Sequence, residues 1–341
     1  MKVEDFNYNL PEELIAQTPL KNRAESKLLV VDKKTGEFKH HHFYDIYDML
    51  DAGDVLVLND TKVLPSRIYG VKEDTKAHIE MLLLKDLGDD VYEVLARPGR
   101  RLKIGTRVNF NDLFVGTILE KFDEGIFHVK FEYEGIFLEL LDKLGEVPLP
   151  PYIHEKLNDP DRYQTVYAKN VGSSAAPTAG LHFTNELLEK LKEKGVEILY
   201  VTLHIGLGTF RPVQVDTIEE HHMHTEMYKM TKEVAEKLNK AKAEGKRIIS
   251  VGTTSTRTLE SIYTKYNKFV EVCEDTNIFI YPGYEFKAID CLITNFHLPK
   301  STLLMLVSAL AGKEKIFKAY EEAIENKYRF FSFGDSMLIK K

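Results

Sequence analysis

The chain has 341 residues, 43% of them hydrophobic, and a formal net charge of -7 at pH 7. This suffices for a large core and favours more than one domain. The acidic balance gives no global sign of nucleic-acid binding, although a local basic patch is compatible with it, because a partner feels the local field. The two cysteines, Cys273 and Cys291, exclude a disulfide framework and a cysteine-rich zinc or iron–sulfur site, and they fit a reducing compartment.

The start of the chain lacks the basic residues and apolar run of a secretory signal. No apolar stretch reaches membrane-spanning length. We therefore expect a cytoplasmic protein without a membrane partner. A monomer is the expected state, since no coiled-coil or assembly motif stands out.

Residues 1–60 open with a polar segment, after which the sequence predicts two strands. Lys27 to Val31 and Asp54 to Asn59 are short apolar runs, and the turn Lys33 to Gly36 follows the first. For the triplet His40 to His42, we favour a polar loop with surface histidines.

Residues 62–150 contain short runs rich in β-branched and aromatic residues, separated by Gly- or Asp-containing turns. Regular short strands without a helical stretch favour a small antiparallel β-barrel. The Pro-rich segment 148–151 fits neither a helix nor a central strand, so it marks the return of the chain. We predict an inserted barrel domain at 62–150 in a discontinuous α/β core domain formed by 1–61 and 151–341. The barrel strands are predicted at Ile79 to Lys85, Val91 to Ala96, Arg107 to Phe110, Val115 to Lys121 and Ile126 to Tyr133.

From residue 152 onwards, helical and strand patterns alternate, which is typical of an α/β fold. Thr184 and Thr231 are expected to cap helices that end at Gly195 and Gly245. The predicted elements are the helices Asn185 to Lys194 and Lys232 to Glu244 and the strands Val196 to Leu203 and Arg247 to Val251.

Four turn-prone segments of this half concentrate Gly, Ser, Thr, His, Asn and Arg. Gly lets a backbone approach a ligand closely, and the polar groups bind polar atoms. Three segments begin where a predicted strand ends, at His204, Gly252 and Thr294, which is where α/β sheets bind ligands. We expect one site built from several loops. The segments are Ser173 to Thr184, His204 to Pro212, Gly252 to Arg257 and Thr294 to Thr302.

Two glycine-containing motifs have competing interpretations. Gly206-Leu207-Gly208 lacks the third glycine and the following helix of a dinucleotide fingerprint, so a tight turn is the simpler interpretation when it is taken alone. Gly252 to Arg257 precedes the helical pattern Leu259 to Tyr263. Its N–H groups and hydroxyls suit a carboxylate or phosphate, while ordinary N-capping is the alternative. No lysine stands at P-loop spacing, which argues against nucleoside-triphosphate hydrolysis.

Histidines recur in the polar segments, at His182, His204 and His297. Histidine is the default acid–base group near neutral pH. A structural role is the simpler interpretation for any one of them, but less so for all three. The cluster His221 to Glu226 matches no zinc-hydrolase spacing, so we expect a functional role without a metal there.

A basic run extends from Arg97 to Arg107 without an acidic residue, and Lys62, Arg67 and Lys72 precede it. A solvated turn and contact with a nucleic-acid backbone both fit such a run.

Taken together, these motifs resemble the S-adenosylmethionine:tRNA ribosyltransferase-isomerases of bacterial queuosine biosynthesis over almost the whole chain. The departures are small: His222 stands where this family often has a basic residue, and Thr256 where it often has an apolar one. The resemblance lies in Asp5 to Gln17, Leu58 to Val63, Tyr163 to Tyr167, Ala175 to Thr184, Val201 to Pro212, His221 to Glu226, Val251 to Glu260, Phe279 to Gly283, Thr294 to Ser308 and Tyr328 to Asp335.

The resemblance implies a core domain with an inserted β-barrel and a defined reaction. The ribosyl part of S-adenosylmethionine moves to the aminomethyl group of 7-aminomethyl-7-deazaguanine at the tRNA wobble position, giving epoxyqueuosine, and adenine and methionine leave. S-adenosylmethionine is then a co-substrate, the tRNA anticodon loop is the partner, and no prosthetic group is expected. A base must remove a proton next to the sulfonium, and donors must help adenine to leave.

Within this frame, we expect His204 or His182 to act as the base. Asp60 or Glu226 would orient the base or share the proton. The expected donor pocket consists of Gly206, Gly208, Thr209, Phe210, Thr253, Thr254, Ser255 and Asn295. The expected tRNA contacts are Lys62, Arg67, Arg100 and Arg101, with Arg211 and Arg257 holding a phosphate or a carboxylate.

Two other classes of function fit parts of the sequence. A small-molecule methyltransferase or phosphoribosyl-type transferase would use the same polar loops, with a merely structural barrel. A non-catalytic tRNA-binding module would need only the basic run, but the concentration of catalytic-type side chains in short loops argues against it.

Overall fold

The computed structural model describes residues 1–155, 157, 159–206, 213 and 215–340. It divides into two compact units. Unit 1 comprises Met1–Lys62 and Pro151–Lys341, and unit 2 comprises Val63–Pro150. Within the described residues, no helix is long and apolar enough to span a membrane.

The strands and helices are labelled in chain order. The strands are β1 (Lys27–Asp32), β2 (Phe38–His42), β3 (Val55–Asn59), β4 (Thr61–Val63), β5 (Arg67–Lys72), β6 (His78–Gly88), β7 (Val91–Arg97), β8 (Arg107–Phe110), β9 (Phe114–Lys121), β10 (Ile126–Tyr133), β11 (Asn170–Ser173), β12 (Glu197–Leu203), β13 (Glu226–Met230), β14 (Ile248–Val251), β15 (Val272–Thr276), β16 (Cys291–Asn295) and β17 (Ser336–Lys340). The helices are α1 (Ile46–Met49), α2 (Phe137–Leu144), α3 (Asn185–Lys194), α4 (Lys232–Ala243), α5 (Gly252–Tyr266), α6 (Thr302–Ala311) and α7 (Lys313–Glu325).

Unit 1 is built on a nine-stranded mixed sheet in the order β15-β13-β12-β3-β14-β16-β17-β1-β2. The strands β12, β3, β14 and β16 are parallel neighbours. Their side chains are largely buried, since helices pack on the sheet and apolar residues follow one another without alternation. The carboxyl ends of these four strands therefore meet at one edge of the sheet.

Local capping explains the boundaries of α3 and the start of α4. The Thr184 hydroxyl accepts a hydrogen bond from Leu187 N at the start of α3, and Gly195 ends the helix in the left-handed conformation. Thr231 caps α4 in the same way, through Val234 N.

Unit 2 is a closed antiparallel barrel in the order β10-β7-β6-β5-β8-β9. Buried side chains alternate with exposed or partly buried ones in β8 and along most of β10, and the inward residues form a core of aliphatic side chains and phenylalanines. Together with the mixed sheet and helices of unit 1, the barrel confirms the predicted fold class, an α/β core with an inserted small antiparallel β-barrel.

Three local predictions are wrong. The segment 62–150 does contain a helix, α2, which buries Phe137, Leu140 and Leu141. The histidine triplet belongs to strand β2 at the edge of the sheet rather than to a loop. The Gly252 segment is not a loop before a helix but the first turns of α5 itself.

Candidate active site

A cleft with about 730 Å³ of empty space, including its open mouth, lies at the carboxyl ends of β12, β14 and β16. All four polar segments identified in the sequence contribute to its lining. This size and position are typical of a small-molecule site in an α/β sheet. Aromatic side chains complete the wall. The lining includes Ala175 to Ala179, Ile205, Glu226, Gly252 to Thr254, Arg257, Thr294 to His297, Tyr152, Tyr163, Phe331 and Ser332.

The amino-terminal end of α5 opens onto this cleft. The chain passes from β14 into the helix through Gly252, whose φ of +82° is accessible to glycine with little strain. No side chain caps the helix, so its first N–H groups have no capping partner among the described residues. Thr253 and Thr254 line the cleft at this point. The uncapped N–H groups and the helix dipole favour an anionic ligand.

One turn into α5, Arg257 forms an ion pair with Glu226. Arg257 Nη1 donates to Glu226 Oε2, and the two side chains are only 6% and 3% exposed. Gly206 N donates to the other carboxylate oxygen at 3.1 Å. Arg257 Nε and Nη2 have no hydrogen-bond partner among the described residues. A carboxylate or phosphate in the cleft would satisfy these donors, since a guanidinium binds such groups with two N–H groups at once.

His182 is held by hydrogen bonds at both ring nitrogens. Asn295 Nδ2 donates to Phe331 O at 2.8 Å, so its Oδ1 is the acceptor that faces His182 Nε2 at 3.1 Å. Nδ1 then accepts from the Ser26 hydroxyl at 2.8 Å. Burial lowers the pKa of His182 to about 4. The imidazole is thus neutral and saturated, which suits it to orienting Asn295 better than to accepting a proton.

Phe331 has an unusual backbone conformation, with φ at +76°. This is strained for a bulky residue, and such residues concentrate at functional sites. Its carbonyl is bound by Asn295, and its ring meets Tyr152 edge-on with centroids 4.1 Å apart. A series of hydrogen bonds therefore runs from Ser26 through His182 to Asn295, which holds the Phe331 carbonyl. Phe331 and Tyr152 form an aromatic wall of the cleft.

His204 lies after β12, beside the end of β3. Its Nδ1 is 2.7 Å from the Thr61 hydroxyl. Burial lowers the pKa of His204, and the charge of Asp60 opposes this effect. The Asp60 carboxylate accepts hydrogen bonds from Thr202 and Asn170 at 2.7 and 2.9 Å. In the described structure, Ile205 rather than His204 lines the cleft.

The remaining histidines have different surroundings. His297 lines the cleft, with Nε2 at 3.1 Å from Thr294 Oγ1, and burial lowers its pKa to about 3. In the cluster His221 to Glu226, His221 packs edge-on against Phe279. Among the described residues, no group of three or more His, Cys, Asp or Glu side chains is arranged to hold a metal ion.

The predicted site residues do not all gather at the cleft. Thr253, Thr254, Asn295, Glu226 and Arg257 line it. Ser255 is fully buried in α5 instead. Gly208, Thr209, Phe210 and Arg211 lie outside the described residues.

The predicted basic residues are spread over both units. Lys62 is exposed in unit 1. In unit 2, Arg100 and Arg101 are exposed in the short 3-10 helix Gly99–Arg101, and Arg67 Nε lies 3.5 Å from Glu80. The basic run is partly neutralised in space, because Arg107 pairs with Glu73 and Glu132 at 2.9 and 3.0 Å.

Sequence reasoning missed several residues at the cleft and beside it. Tyr152, Phe331 and Ser332 line the cleft, and Arg23 and Arg162 line a second cavity next to it. Only the resemblance drew attention to the segment that contains Phe331. Nothing in the sequence around the two arginines sets them apart from ordinary surface cations.

Comparison with known proteins identifies the family. The family described as "Queuosine biosynthesis protein" matches residues 3–339. Proteins named S-adenosylmethionine:tRNA ribosyltransferase-isomerase from Staphylococcus epidermidis and Staphylococcus aureus are 60% and 59% identical over 340 residues, covering 99% of this chain and 100% of each relative. The crystal structure of S-adenosylmethionine tRNA ribosyltransferase from Thermotoga maritima has a TM-score of 0.58 and 39% identity, covering 98% of this chain and 99% of that one. The resemblance noted in the sequence is thereby confirmed, and the chain belongs to the queuosine biosynthesis protein family.

Proposed function

We infer that this protein transfers and isomerises the ribosyl group of S-adenosylmethionine onto 7-aminomethyl-7-deazaguanine at the tRNA wobble position. The products are epoxyqueuosine in tRNA, adenine and methionine. Family membership over the whole chain and the names of relatives about 60% identical support this inference. S-adenosylmethionine and tRNA are then the two substrates.

The observation that carries this inference is the combination of groups around the cleft. The start of α5 and the Arg257 fork favour an anion, and the aromatic wall suits a planar base and a sulfonium cation. S-adenosylmethionine combines a carboxylate, a sulfonium and adenine. We propose that Arg257 and the first turn of α5 bind its carboxylate. Thr253, Thr254 and Asn295 would line the same pocket. Gly206 would contribute indirectly, because its N–H group donates to Glu226, the partner of Arg257.

We propose that His204, which directly precedes the cleft-lining Ile205, is the base that removes a proton next to the sulfonium. Its pKa is lowered by burial, so the imidazole is neutral and ready to accept a proton at pH 7. Thr61 orients the ring, and Asp60 stabilises the imidazolium that forms. His182 is the weaker candidate, because both of its ring nitrogens are bonded.

We further propose that the two domains have different functions. The core domain comprises residues 1–61 and 151–341, and the inserted barrel domain comprises residues 62–150. The core would carry out catalysis, and the barrel would contact tRNA through Arg67, Arg100 and Arg101, with Lys62 adding a contact. Exposure of Arg100 and Arg101 supports this role. We also propose a cytoplasmic monomer that needs no prosthetic group.

The test is an incubation with S-adenosylmethionine and tRNA carrying 7-aminomethyl-7-deazaguanine, followed by mass spectrometry of the digested tRNA and of the small molecules. We expect free adenine and an epoxycyclopentanediol mass gain on the base. A methyl-sized gain with S-adenosylhomocysteine would assign the protein to methyltransferases. Bound tRNA without donor consumption would assign it to tRNA-binding modules.

A further inference from the structure

A second cavity of about 310 Å³, including its mouth, lies next to the cleft in unit 1. Arg23 and Arg162 line it. Ser332 lines both spaces, and His182, at the wall of the second cavity, bonds to Asn295 at the wall of the cleft. The two spaces are therefore separated by no more than a few side chains.

The arginines at this cavity are held by backbone carbonyls. Arg23 donates to Gln164 O and Asp161 O at 2.9 and 3.1 Å. Arg162 donates to Lys21 O at 3.2 Å and also to Leu20 O. Carbonyl oxygens orient a guanidinium without neutralising it. Within the described part of the chain, neither arginine forms an ion pair with a carboxylate.

A third guanidinium adds to the positive charge here. Arg329 donates to Thr18 O and, like Arg23, lowers the pKa of His182 through its charge. Burial and, secondarily, the charge of Arg162 lower the pKa of Arg23. Asp159 and Asp161 act on Arg23 in the opposite direction, but both are exposed. Arg329 does not line the cavity itself. The two half-buried arginines that do line it have no salt-bridging carboxylate in the described part of the chain, and they form a site suited to an anion.

A contrast within the same unit shows what a purely structural arginine looks like in this protein. Arg247 binds Asp54 through two N–H groups, at 2.8 and 2.5 Å, and Asp51 at 2.9 Å. Two carboxylates, those of Asp54 and Asp51, therefore balance the charge of Arg247. Arg162 Nε, by comparison, is buried and has no hydrogen-bond partner among the described residues. The second cavity thus retains donors and charge that the folded chain does not use.

We propose that Arg23 and Arg162 form a phosphodiester-binding site for the tRNA backbone beside the target nucleotide. The proposal rests on the proposed function, in which the wobble base leaves the anticodon loop and enters the cleft. The phosphates that flank a base in the cleft must lie beside its mouth. Arginine forks bind phosphate oxygens in pairs, and such contacts fix the register of the nucleic acid without reading its sequence.

The experiment measures tRNA affinity from 50 to 300 mM KCl, and S-adenosylmethionine affinity in parallel, for the full chain. The variants are Arg23→Gln, Arg162→Gln and the charge-conserving Arg23→Lys and Arg162→Lys. Lys318→Gln, which removes an exposed cation on α7, is the matched control. We expect each Gln variant to reduce the slope of log affinity against log salt by about 1, because one phosphate contact is lost. The Lys variants and the control should keep the wild-type slope. The affinity for S-adenosylmethionine should not change in any of these variants.

Each contrary outcome has its own meaning. Wild-type slopes in both Gln variants, with tRNA bound normally, would overturn the phosphate site and leave the proposed function standing. Weaker S-adenosylmethionine binding with an unchanged salt slope of tRNA binding would overturn the phosphate site. It would indicate instead that the arginines bind the carboxylate of S-adenosylmethionine. Equal loss of thermal stability in the Gln and Lys variants, without a change of slope, would mean that the arginines only tie loops together. No tRNA binding by the wild-type protein would instead count against the proposed function itself.

Discussion

Arg257 and Glu226 form an ion pair that is almost completely buried, at the wall of a cleft that is open to ligands. Burial of two charges costs free energy that the pair barely recovers, so a buried pair is weak evidence for stability alone. Here the ion pair also holds the Arg257 guanidinium at the wall of the cleft. Glu226 holds the guanidinium by one nitrogen, and Nε and Nη2 have no partner among the residues that the structure describes.

Replacing Arg257 by lysine should weaken donor binding while the protein stays folded. Lysine keeps the positive charge opposite Glu226 but lacks the fork. Hydrogen bonds to charged groups contribute about 1.5–3 kcal/mol, so we expect the dissociation constant of S-adenosylmethionine to rise by about tenfold or more. Isothermal titration calorimetry measures this constant directly. Arg247→Lys, which disturbs an ion pair with Asp54 instead, should leave it unchanged. Equal donor affinity in the wild type and Arg257→Lys would rule out the carboxylate assignment.

Replacing His204 by glutamine should abolish most turnover and leave both substrates bound. General-base catalysis is worth about 10²–10⁴-fold, and kcat should fall by that amount. His42→Gln, at an exposed position in β2, serves as the control and should behave like the wild type. Because burial lowers the pKa of His204, kcat/KM should rise with pH to a plateau, with its midpoint below the ordinary histidine value of 6.5. Unchanged turnover in His204→Gln would transfer the role of base to another residue.

The stability of the core should depend on pH through His182. The native pKa is about 4 and the ordinary value is 6.5, so between these values the unfolded chain binds more protons than the native one. The free energy of unfolding should therefore fall as the pH is lowered through this window, by about 1.4 kcal/mol per pH unit. Urea unfolding of wild type and His182→Gln at pH 7.5 and 5 tests this. The variant should start less stable and lose less on acidification; parallel losses in both proteins would show that other groups are responsible.

Gly252→Ala should affect both stability and donor binding. A left-handed conformation costs a residue with a side chain about 1–2 kcal/mol. The added carbon would lie 3.5 Å from Ala179 Cβ, an ordinary contact, so backbone strain and not a clash is the cause. Relief of that strain would shift the first turn of α5, and we expect weaker S-adenosylmethionine binding. Gly245→Ala, at φ +68° with nothing within 4 Å, should lower the melting temperature without changing donor affinity. Similar donor affinities in the two variants would argue against a role for the start of α5.

Elements with strong local signals could be predicted from the sequence. The bounds of β1 and α3 agree with the prediction to within a residue, because the apolar run of β1 ends at Asp32 and the Thr184 cap and Gly195 stop are local features. The edge strand β2 was missed because its side chains are polar and partly exposed, which gives no hydrophobic pattern. Helix α2 does carry an amphipathic spacing, but eight residues among many strands gave a weak signal.

The candidate site was predictable as a set of segments but not as a set of roles. The Gly252 segment has low helix propensity, and tertiary burial of Ser255 and Thr256 makes it helical. His182 and His204 look alike in sequence. Only the folded structure shows that both ring nitrogens of His182 have hydrogen-bond partners, whereas His204 is half-buried. Phe331 owes its place to a carbonyl contact with Asn295, which no spacing could reveal.

The position of β17 has a consequence for the synthesis of this protein. β17 lies between β16 and β1, and in the described sheet it is the strand that joins β1 and β2 to the others. β1 is synthesised long before its partner on that side, which is made from residues 336–340. Until that partner is made, one edge of the apolar strand stays unpaired and is open to chaperones and proteases. Protection of β1 therefore depends on a segment that is distant along the chain.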